Sequence, residues 1–248
     1  MYKPVHDFAS GVSIYFSDVH DGSIAAGGGN PSLPEHEQNV ANFLNEHKLA
    51  HLQRSKVFVT YLPENTYTHS ERVTSENLGK AIKSDALWTT DSHSMITLPV
   101  ADCVATVVYD PVTHLLGVLH LGRHASVAGL IEAFAAQVGA EIGSDPSNWH
   151  VWMSPSLQKE HNRLEYFEPP FPEDWTSFQS LDADGVIHID IPGHNRSRFE
   201  ALGVRQENIY VSQHDTYSDE RYFSHRAATE LQKPERQGRM MVVACMTD

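Results

Sequence analysis

The stretch that decides the fold is residues 101–120, which read ADCVATVVYDPVTHLLGVLH. Two apolar runs flank a turn sequence, Asp-Pro-Val-Thr, that begins at Asp110. Aspartate at the first position and proline at the second are typical of a type I turn. Valine, which favours strands, recurs in both arms. The segment therefore predicts a β-hairpin.

The turn also predicts which residues face each other across this hairpin. If Asp110 pairs with Thr113, the numbers of opposed residues sum to 223, and Cys103 faces His120. Opposed Cβ atoms lie about 4.5–5.5 Å apart on one face of a sheet. A thiol and an imidazole at that distance could share a proton or a metal ion. A bulge in the turn would shift the register.

The rest of the chain predicts a layered fold around this hairpin. Other strand-like runs cover residues 12–16, 56–62, 95–110, 115–122, 149–154, 185–191, 208–213 and 238–246. Helical periodicity covers residues 35–49, 125–142 and 192–202. Strands interleaved with a few helices indicate an α/β or α+β fold, in which helices flank a mixed β-sheet. No long flexible linker interrupts the chain, so we expect one domain over residues 1–248.

The composition excludes several classes of partner. The 248 residues include 18 Lys and Arg against 32 Asp and Glu, a net charge of −14. An acidic surface repels nucleic acid and anionic lipid, so we expect a small-molecule substrate instead. No apolar run reaches the ~18 residues of a membrane span, and no secretory signal opens the sequence. Two cysteines cannot build a disulfide framework, which favours a cytoplasmic location.

Sixteen histidines accompany those two cysteines, and three interpretations of the Cys103–His120 pair stay open. The residues could be an ordinary buried thiol and a hydrogen-bonded imidazole. They could form a nucleophile–base dyad, in which the imidazole lowers the pKa of the thiol. They could also be two ligands of a metal that needs at least one more. The histidines near Cys103 in sequence that could supply it are His69, His93, His114 and His124.

Several short motifs resemble those of the YfiH-like proteins, often called laccase-domain or polyphenol-oxidase proteins. The similarity begins with residues 58–62 and 68–70, which resemble the family's QVHG region, and Ser84-Asp85-Ala86, which resembles its ADA element. Val100-Ala101-Asp102-Cys103 is similar to TADC, and residues 118–122 are similar to VHAGW. Segments 201–204, 216–217, 223–226 and 238–240 follow in the family's order. The resemblance covers most of the chain and implies a mixed-sheet α/β domain.

The resemblance implies a metal site and a substrate class. It makes His69, Cys103 and His120 the metal ligands, usually of zinc, although copper is possible. It implies activity on purine nucleosides, either phosphorolysis to the base and ribose 1-phosphate or deamination of adenosine. Zinc with an open position lowers the pKa of bound water toward ~7, and the resulting hydroxide could attack C6 of a purine.

Further residues are candidates for catalysis and substrate binding. In addition to Cys103, two carboxylates are candidate catalytic residues: Asp102 and Asp85 could act as acid–base groups. A solvent-exposed or turn-capping carboxylate is an equally good interpretation of either. Ser224 and Arg226 are candidate substrate contacts or a structural hydrogen-bonded pair. Arg123 and His124 complete the candidate substrate-binding residues. For His124, as for His93, His114, His214 and His225, the favoured interpretation is nevertheless a surface or supporting imidazole.

The sequence also departs from the family pattern. GWRG reads Gly122-Arg123-His124-Ala125, so the tryptophan is lost and the arginine lies one position early. The CTY and SYRR motifs are altered at residues 215–217 and 224–227. Loss of basic positions weakens the expectation of a phosphate site. The alternatives are therefore a metal-independent Cys103–His120 hydrolase or amidase, and a nucleoside- or metal-binding protein without catalysis. A copper-binding polyphenol oxidase is a third alternative, but the chain has no His-X-His pair for a multicopper cluster.

Overall fold

The computed structural model describes residues 8–26, 33–58 and 67–247. The helices in these ranges are α1 (Pro34–Glu46), α2 (Arg123–Ala128), α3 (Leu130–Ile142), α4 (Ile191–Ala201) and α5 (His225–Glu230). The first strands are β1 (Val12–Phe16), β2 (Gln53–Phe58), β3 (Ser70–Arg72), β4 (Ala81–Lys83), β5 (Ala86–Thr89), β6 (Ser94–Val100) and β7 (Val104–Asp110). The others are β8 (Leu115–Leu121), β9 (His150–Met153), β10 (Arg163–Leu164), β11 (Gln179–Leu181), β12 (Ile187–Ile189), β13 (Ile209–Val211) and β14 (Met240–Met246).

The strands of the described ranges divide between two large sheets and a small one. One large sheet has the order β1-β14-β6-β2-β4, and the other has the order β13-β9-β7-β8-β5-β3. The small sheet has the order β10-β12-β11. Both large sheets contain parallel and antiparallel pairs, as expected for a mixed sheet. The sequence suggested a single sheet, because the pattern of apolar residues does not say how strands group.

The two large sheets pack face to face, with helices on their outer faces. Val107 and Val118 of the hairpin share one apolar cluster with Ile14 and Leu98 of the other sheet. On the opposite face of the hairpin, a second cluster contains Phe134 of α3 together with residues of α4. A third cluster lies between α1 and the first sheet. This α+β arrangement of mixed sheets flanked by few helices confirms the predicted fold class.

Alternation along the hairpin explains why it lies at the centre of these layers. In β7, Val107 and Tyr109 face the other sheet, while Val104 and Val108 face the helices. Both faces are apolar, so every residue of β7 and β8 is buried. Gly117 lets the helix layer approach closely, because an added Cβ would lie 2.6 Å from Cζ of Phe134.

Two predicted elements are interrupted in the structure. The run over residues 95–110 divides into β6 and β7 at residues 101–103, where Asp102 has φ +70°. The helix predicted over 125–142 divides into α2 and α3 at Gly129, which has φ +83°. The predicted strand 56–62 begins earlier as β2, and residues 59–62 lie outside the described residues. In the described ranges, no helix is long and apolar enough to cross a membrane.

The hairpin itself is confirmed, but its predicted register is wrong. Asp110 pairs with Leu115 rather than Thr113, and His120 faces Ala105 rather than Cys103. The carboxylate of Asp110 accepts hydrogen bonds from the Val112 backbone N–H at 2.9 Å and the Thr113 hydroxyl at 2.8 Å. These bonds close a four-residue loop, and each opposed pair is shifted by two positions.

Candidate functional site

Cys103 and His120 lie together at the open end of the hairpin, although they are not directly opposed. Cys103 precedes β7, and His120 is the next-to-last residue of β8. A Cβ added to Gly122 would lie 2.9 Å from Sγ of Cys103 and 3.3 Å from Cε1 of His120. Both side chains therefore pack against the Gly122 backbone, and glycine leaves the space that they occupy.

The electrostatics of this pair do not favour a thiolate–imidazolium dyad. Burial, followed by the charge of Asp102, raises the pKa of the Cys103 thiol to about 12. Burial, followed by the charge of Arg239, lowers the pKa of His120 to about 4. Both groups are therefore neutral near pH 7. A nucleophilic cysteine needs a depressed thiol pKa, so the geometry gives little support to the metal-independent hydrolase.

His69 belongs to the same row of strands, but its side chain points elsewhere. Its carbonyl accepts the Asp85 N–H at 3.0 Å, and the Asp85 carbonyl accepts the His120 N–H at 2.9 Å. However, Nε2 of His69 lies 3.4 Å from a Glu71 carboxylate oxygen, and 54% of the side chain is exposed. Within residues 8–26, 33–58 and 67–247, no three His, Cys, Asp or Glu side chains lie close enough to hold a metal.

A cavity of about 250 Å³, here called the first cavity, opens beside Cys103 and His120. Arg123, His124 and Arg226, three of the predicted substrate-binding residues, line this cavity. Arg123 and Arg239 also act electrostatically on Cys103, since their charges lower its pKa against the effect of burial. Positive charge therefore collects around the partly buried thiol of Cys103 and the buried imidazole of His120.

Asp102 connects the hairpin to the C-terminal part of the chain. One carboxylate oxygen accepts the Thr216 hydroxyl at 2.7 Å, and the other accepts the Arg226 backbone N–H at 2.8 Å. Its carbonyl accepts the Leu157 N–H. With both oxygens engaged, this carboxylate is placed to position Arg226 beside Cys103. Its predicted acid–base role stays a prediction.

Two other predicted residues are not among those that line the first cavity. Asp85 is buried, and its backbone bridges His69 and His120 as described above. Ser224 is fully buried, and its hydroxyl accepts the Ala227 N–H at 3.0 Å as the N-cap of α5. This contact matches the structural interpretation of Ser224 rather than a substrate contact.

The sequence reasoning missed two residues of the site. Arg239 follows Gly238 in a segment that matched the family order, but nothing in its spacing related it to Cys103. Tyr67 lines the first cavity and stacks on His124, with ring centroids 4.9 Å apart and planes 19° apart. The only sequence signal for Tyr67 was an aromatic residue two positions before His69.

Comparison with known proteins places these residues in a family. A family model described as "Multi-copper polyphenol oxidoreductase laccase" matches residues 34–247. The chain belongs to this laccase family. Among relatives, a purine nucleoside phosphorylase of Staphylococcus epidermidis is 23% identical over 239 residues, covering 85% of this chain and 87% of the relative. Purine nucleoside phosphorylase YlmD of Bacillus subtilis is 24% identical over 211 residues, covering 79% and 76%.

Solved structures of the laccase family share the fold. YlmD from Geobacillus stearothermophilus superposes with a TM-score of 0.76 at 20% identity, covering 98% of this chain and 94% of that one. The hypothetical protein YfiH of Bacillus licheniformis gives a TM-score of 0.75 at 19% identity, with coverage of 95% and 93%. The resemblance to YfiH-like proteins is therefore confirmed.

Proposed function

We propose that the first cavity binds a purine nucleoside together with phosphate and catalyses phosphorolysis. A phosphate oxygen forms a bond to C1′ of the ribose while the C1′–N9 bond breaks, and the base leaves with a proton. The products are the free purine and ribose 1-phosphate. The names of the relatives from Staphylococcus epidermidis and Bacillus subtilis support this choice of reaction.

The observation that carries the proposal is the set of three arginines around Cys103 and His120, in a chain of net charge −14. Arg123 and Arg226 line the first cavity, and the charge of Arg239 reaches both His120 and Cys103. Within the described part of the chain, neither Arg123 nor Arg239 has a carboxylate within salt-bridge distance, whereas Arg226 pairs with Glu230 at 3.0 Å. Guanidinium groups bind phosphate oxygens through charge-assisted hydrogen bonds. Arg123, which lies one position early in the GWRG motif, together with Arg226 and Arg239, would offset the basic positions lost from the family motifs.

Zinc is part of the proposal, with His69, Cys103 and His120 as its ligands. The neutral imidazole of His120 beside the Cys103 sulfur fits a zinc site, since zinc binds neutral imidazole and thiolate, and its charge would displace the thiol proton of Cys103. His69 would complete the set only after its side chain turns away from Glu71. When bound, zinc would supply a Lewis acid and an acidified water. Asp102 would meanwhile hold Arg226 at the cavity, and Arg123 and Arg239 would orient phosphate.

The test is nucleoside cleavage by purified protein with and without phosphate. Incubation with inosine should release hypoxanthine and ribose 1-phosphate only when phosphate is present. Adenosine tests for the other possible reaction, deamination, because deamination of adenosine gives inosine and does not require phosphate. Absence of product from inosine, guanosine and adenosine at saturating phosphate would contradict the proposed reaction.

An arginine substitution tests the phosphate half of the proposal. Arg239→Gln should raise the KM for phosphate about tenfold or more, because a charge-assisted contact to phosphate is lost. Arg205→Gln is the matched control, since Arg205 is exposed and, unlike Arg239, is not among the charges that shift the pKa of Cys103 or His120. An unchanged phosphate KM in Arg239→Gln would remove this arginine from the site.

Metal content tests the zinc part separately. Freshly purified protein should contain about one zinc per chain, and His69→Ala should lose most of it. His93→Ala is the matched control, because 91% of the His93 side chain is exposed and pairs only with Asp91 in the described structure. Less than half a zinc per chain, with cleavage that survives chelation, would contradict the zinc site.

A further inference from the structure

A second cavity adjoins the first and has no role in the reaction as proposed so far. Its volume is about 360 Å³, against about 250 Å³ for the first cavity. Tyr67, Arg123 and His124 contribute to the walls of both cavities. Ligand pockets usually measure about 300–1,000 Å³. The first cavity alone is therefore small for a nucleoside with phosphate, whereas the two together fall within that range.

The wall common to both cavities is aromatic. Tyr67 and His124 form a stacked pair with planes 19° apart. Burial, with the charge of Arg123, lowers the pKa of His124, so its ring is neutral near pH 7. Neutral planar rings of this kind stack on nucleobases, which all present a π-face. Phe167, Pro169 and Pro170 add further apolar surface to the second cavity.

The charged side chains of the two cavities differ. Arg226 and Asp102 line only the first cavity and Glu168 lines only the second, whereas Arg123 lines both. The Tyr166 hydroxyl donates a hydrogen bond to one oxygen of Glu168. The other oxygen has no hydrogen-bond partner in the described part of the chain. Tyr166 therefore orients a carboxylate that can still accept hydrogen bonds from a ligand.

The direction of the proposed reaction places the base in this second cavity. Attack on C1′ puts the incoming phosphate and the departing base on opposite sides of that carbon. If phosphate binds beside Arg226 and Arg239, the base extends away from them. The wall formed by Tyr67 and His124 leads from the first cavity toward Glu168.

We infer that the second cavity binds the purine base, and that Glu168 accepts hydrogen bonds from its N1–H edge. This inference rests on the proposed function. A 6-oxopurine has a hydrogen on N1, and guanine adds a 2-amino donor beside it. Adenine has a lone pair at N1, which a carboxylate repels. The site therefore prefers guanosine to inosine, and inosine to adenosine.

The test measures equilibrium binding by calorimetry, so it needs no turnover. Guanosine and adenosine are titrated separately into the 248-residue protein without phosphate, so that binding is measured in the absence of phosphorolysis. Wild-type protein should bind guanosine about tenfold or more tightly than adenosine. Glu168→Gln should reduce that ratio about tenfold, because the amide has one acceptor fewer and adds a donor that adenine accepts. Glu173→Gln, an exposed carboxylate on the same segment but outside the second cavity, should leave the ratio unchanged.

The possible outcomes separate a failure of this inference from a failure of the proposed phosphorolysis. A guanosine preference that Glu168→Gln abolishes supports the inference, even if the phosphorolysis assay gives no product, in which case only the reaction is wrong. A preference for adenosine in wild-type protein overturns the inference. The inference is also overturned if the ratio of guanosine affinity to adenosine affinity is equal in wild type and Glu168→Gln, or if no nucleoside binds.

Discussion

Each end of the β7–β8 hairpin has an aspartate whose carboxylate accepts hydrogen bonds, but the donors come from different parts of the chain. At the closed end, Asp110 is fully buried, and its carboxylate accepts hydrogen bonds from Val112, Thr113 and Ser144. At the open end, the carboxylate of Asp102 accepts hydrogen bonds from residues more than a hundred positions away. At the closed end, most of the hydrogen bonds to the carboxylate come from residues of the turn itself. The open end depends on distant segments, which bring arginines close to Cys103 and His120.

The two aspartates therefore have different roles in the hairpin. Asp110 fixes the register and thus the position of every residue in both strands. Asp102 fixes what surrounds the end of those strands. Substitutions at the closed end should therefore reduce stability, and substitutions at the open end should change the site more than the fold.

The largest effect is expected from Asp110→Ala. The change removes the acceptor of the Thr113 and Ser144 hydroxyls in a buried place, which should cost about 3 kcal/mol or more in the free energy of unfolding. Urea denaturation measures this loss. Val112→Ala is the control in the same turn, because Val112 is 68% exposed and should change stability by less than about 0.5 kcal/mol. Equal midpoints for the two variants would contradict the structural role of Asp110.

The same carboxylate shows where prediction from sequence stops. The strands of the hairpin and the proximity of Cys103 to His120 were predictable, because apolar runs and a turn motif are local signals. The register was not, because the bonds of Asp110 to Val112 and Thr113 lengthen the loop. A shift of two positions keeps side chains on the same face, so the two candidate ligands remain neighbours.

The surroundings of the site were less predictable than its centre. Arg239 reaches Cys103 only because β14 pairs with β6, a contact between segments about 140 residues apart. The three-residue strand β3, which places His69 in the row of His120, is too short to produce a periodic pattern. Long-range pairing and short strands leave no local signal, so the positions of Tyr67 and Arg239 near Cys103 and His120 could be found only from the folded structure.

The next largest effect is expected from Gly122→Ala at the open end. Gly122 has φ −81°, so its backbone accepts alanine, but the new Cβ would lie 2.9 Å from Sγ of Cys103. Either Cys103 or His120 must move, and displacement near 1 Å can reduce turnover about a hundredfold. Steady-state nucleoside cleavage measures the loss.

Gly139→Ala provides the control for that substitution. Gly139 lies within α3, and its added Cβ would make an ordinary contact of 3.5 Å with the Ser144 carbonyl. Alanine should therefore stabilise the helix by about 0.5–1 kcal/mol and leave turnover unchanged. If Gly122→Ala retained wild-type turnover, the packing of Cys103 and His120 against this backbone would have no part in the reaction.

The smallest effect is expected from Asp102→Asn, which separates the carboxylate from the backbone conformation. Asparagine tolerates the left-handed φ of +70° as aspartate does, so the turn before Cys103 should remain. The amide can accept from Thr216 but cannot also accept from the Arg226 N–H, and we expect a loss of about 1–2 kcal/mol in stability. Hydrogen exchange should accelerate in α5 but not in α3, because only α5 begins at this contact. Unchanged exchange in α5 would show that Asp102 does not position Arg226. The open end of the hairpin would then not depend on hydrogen bonds to distant segments.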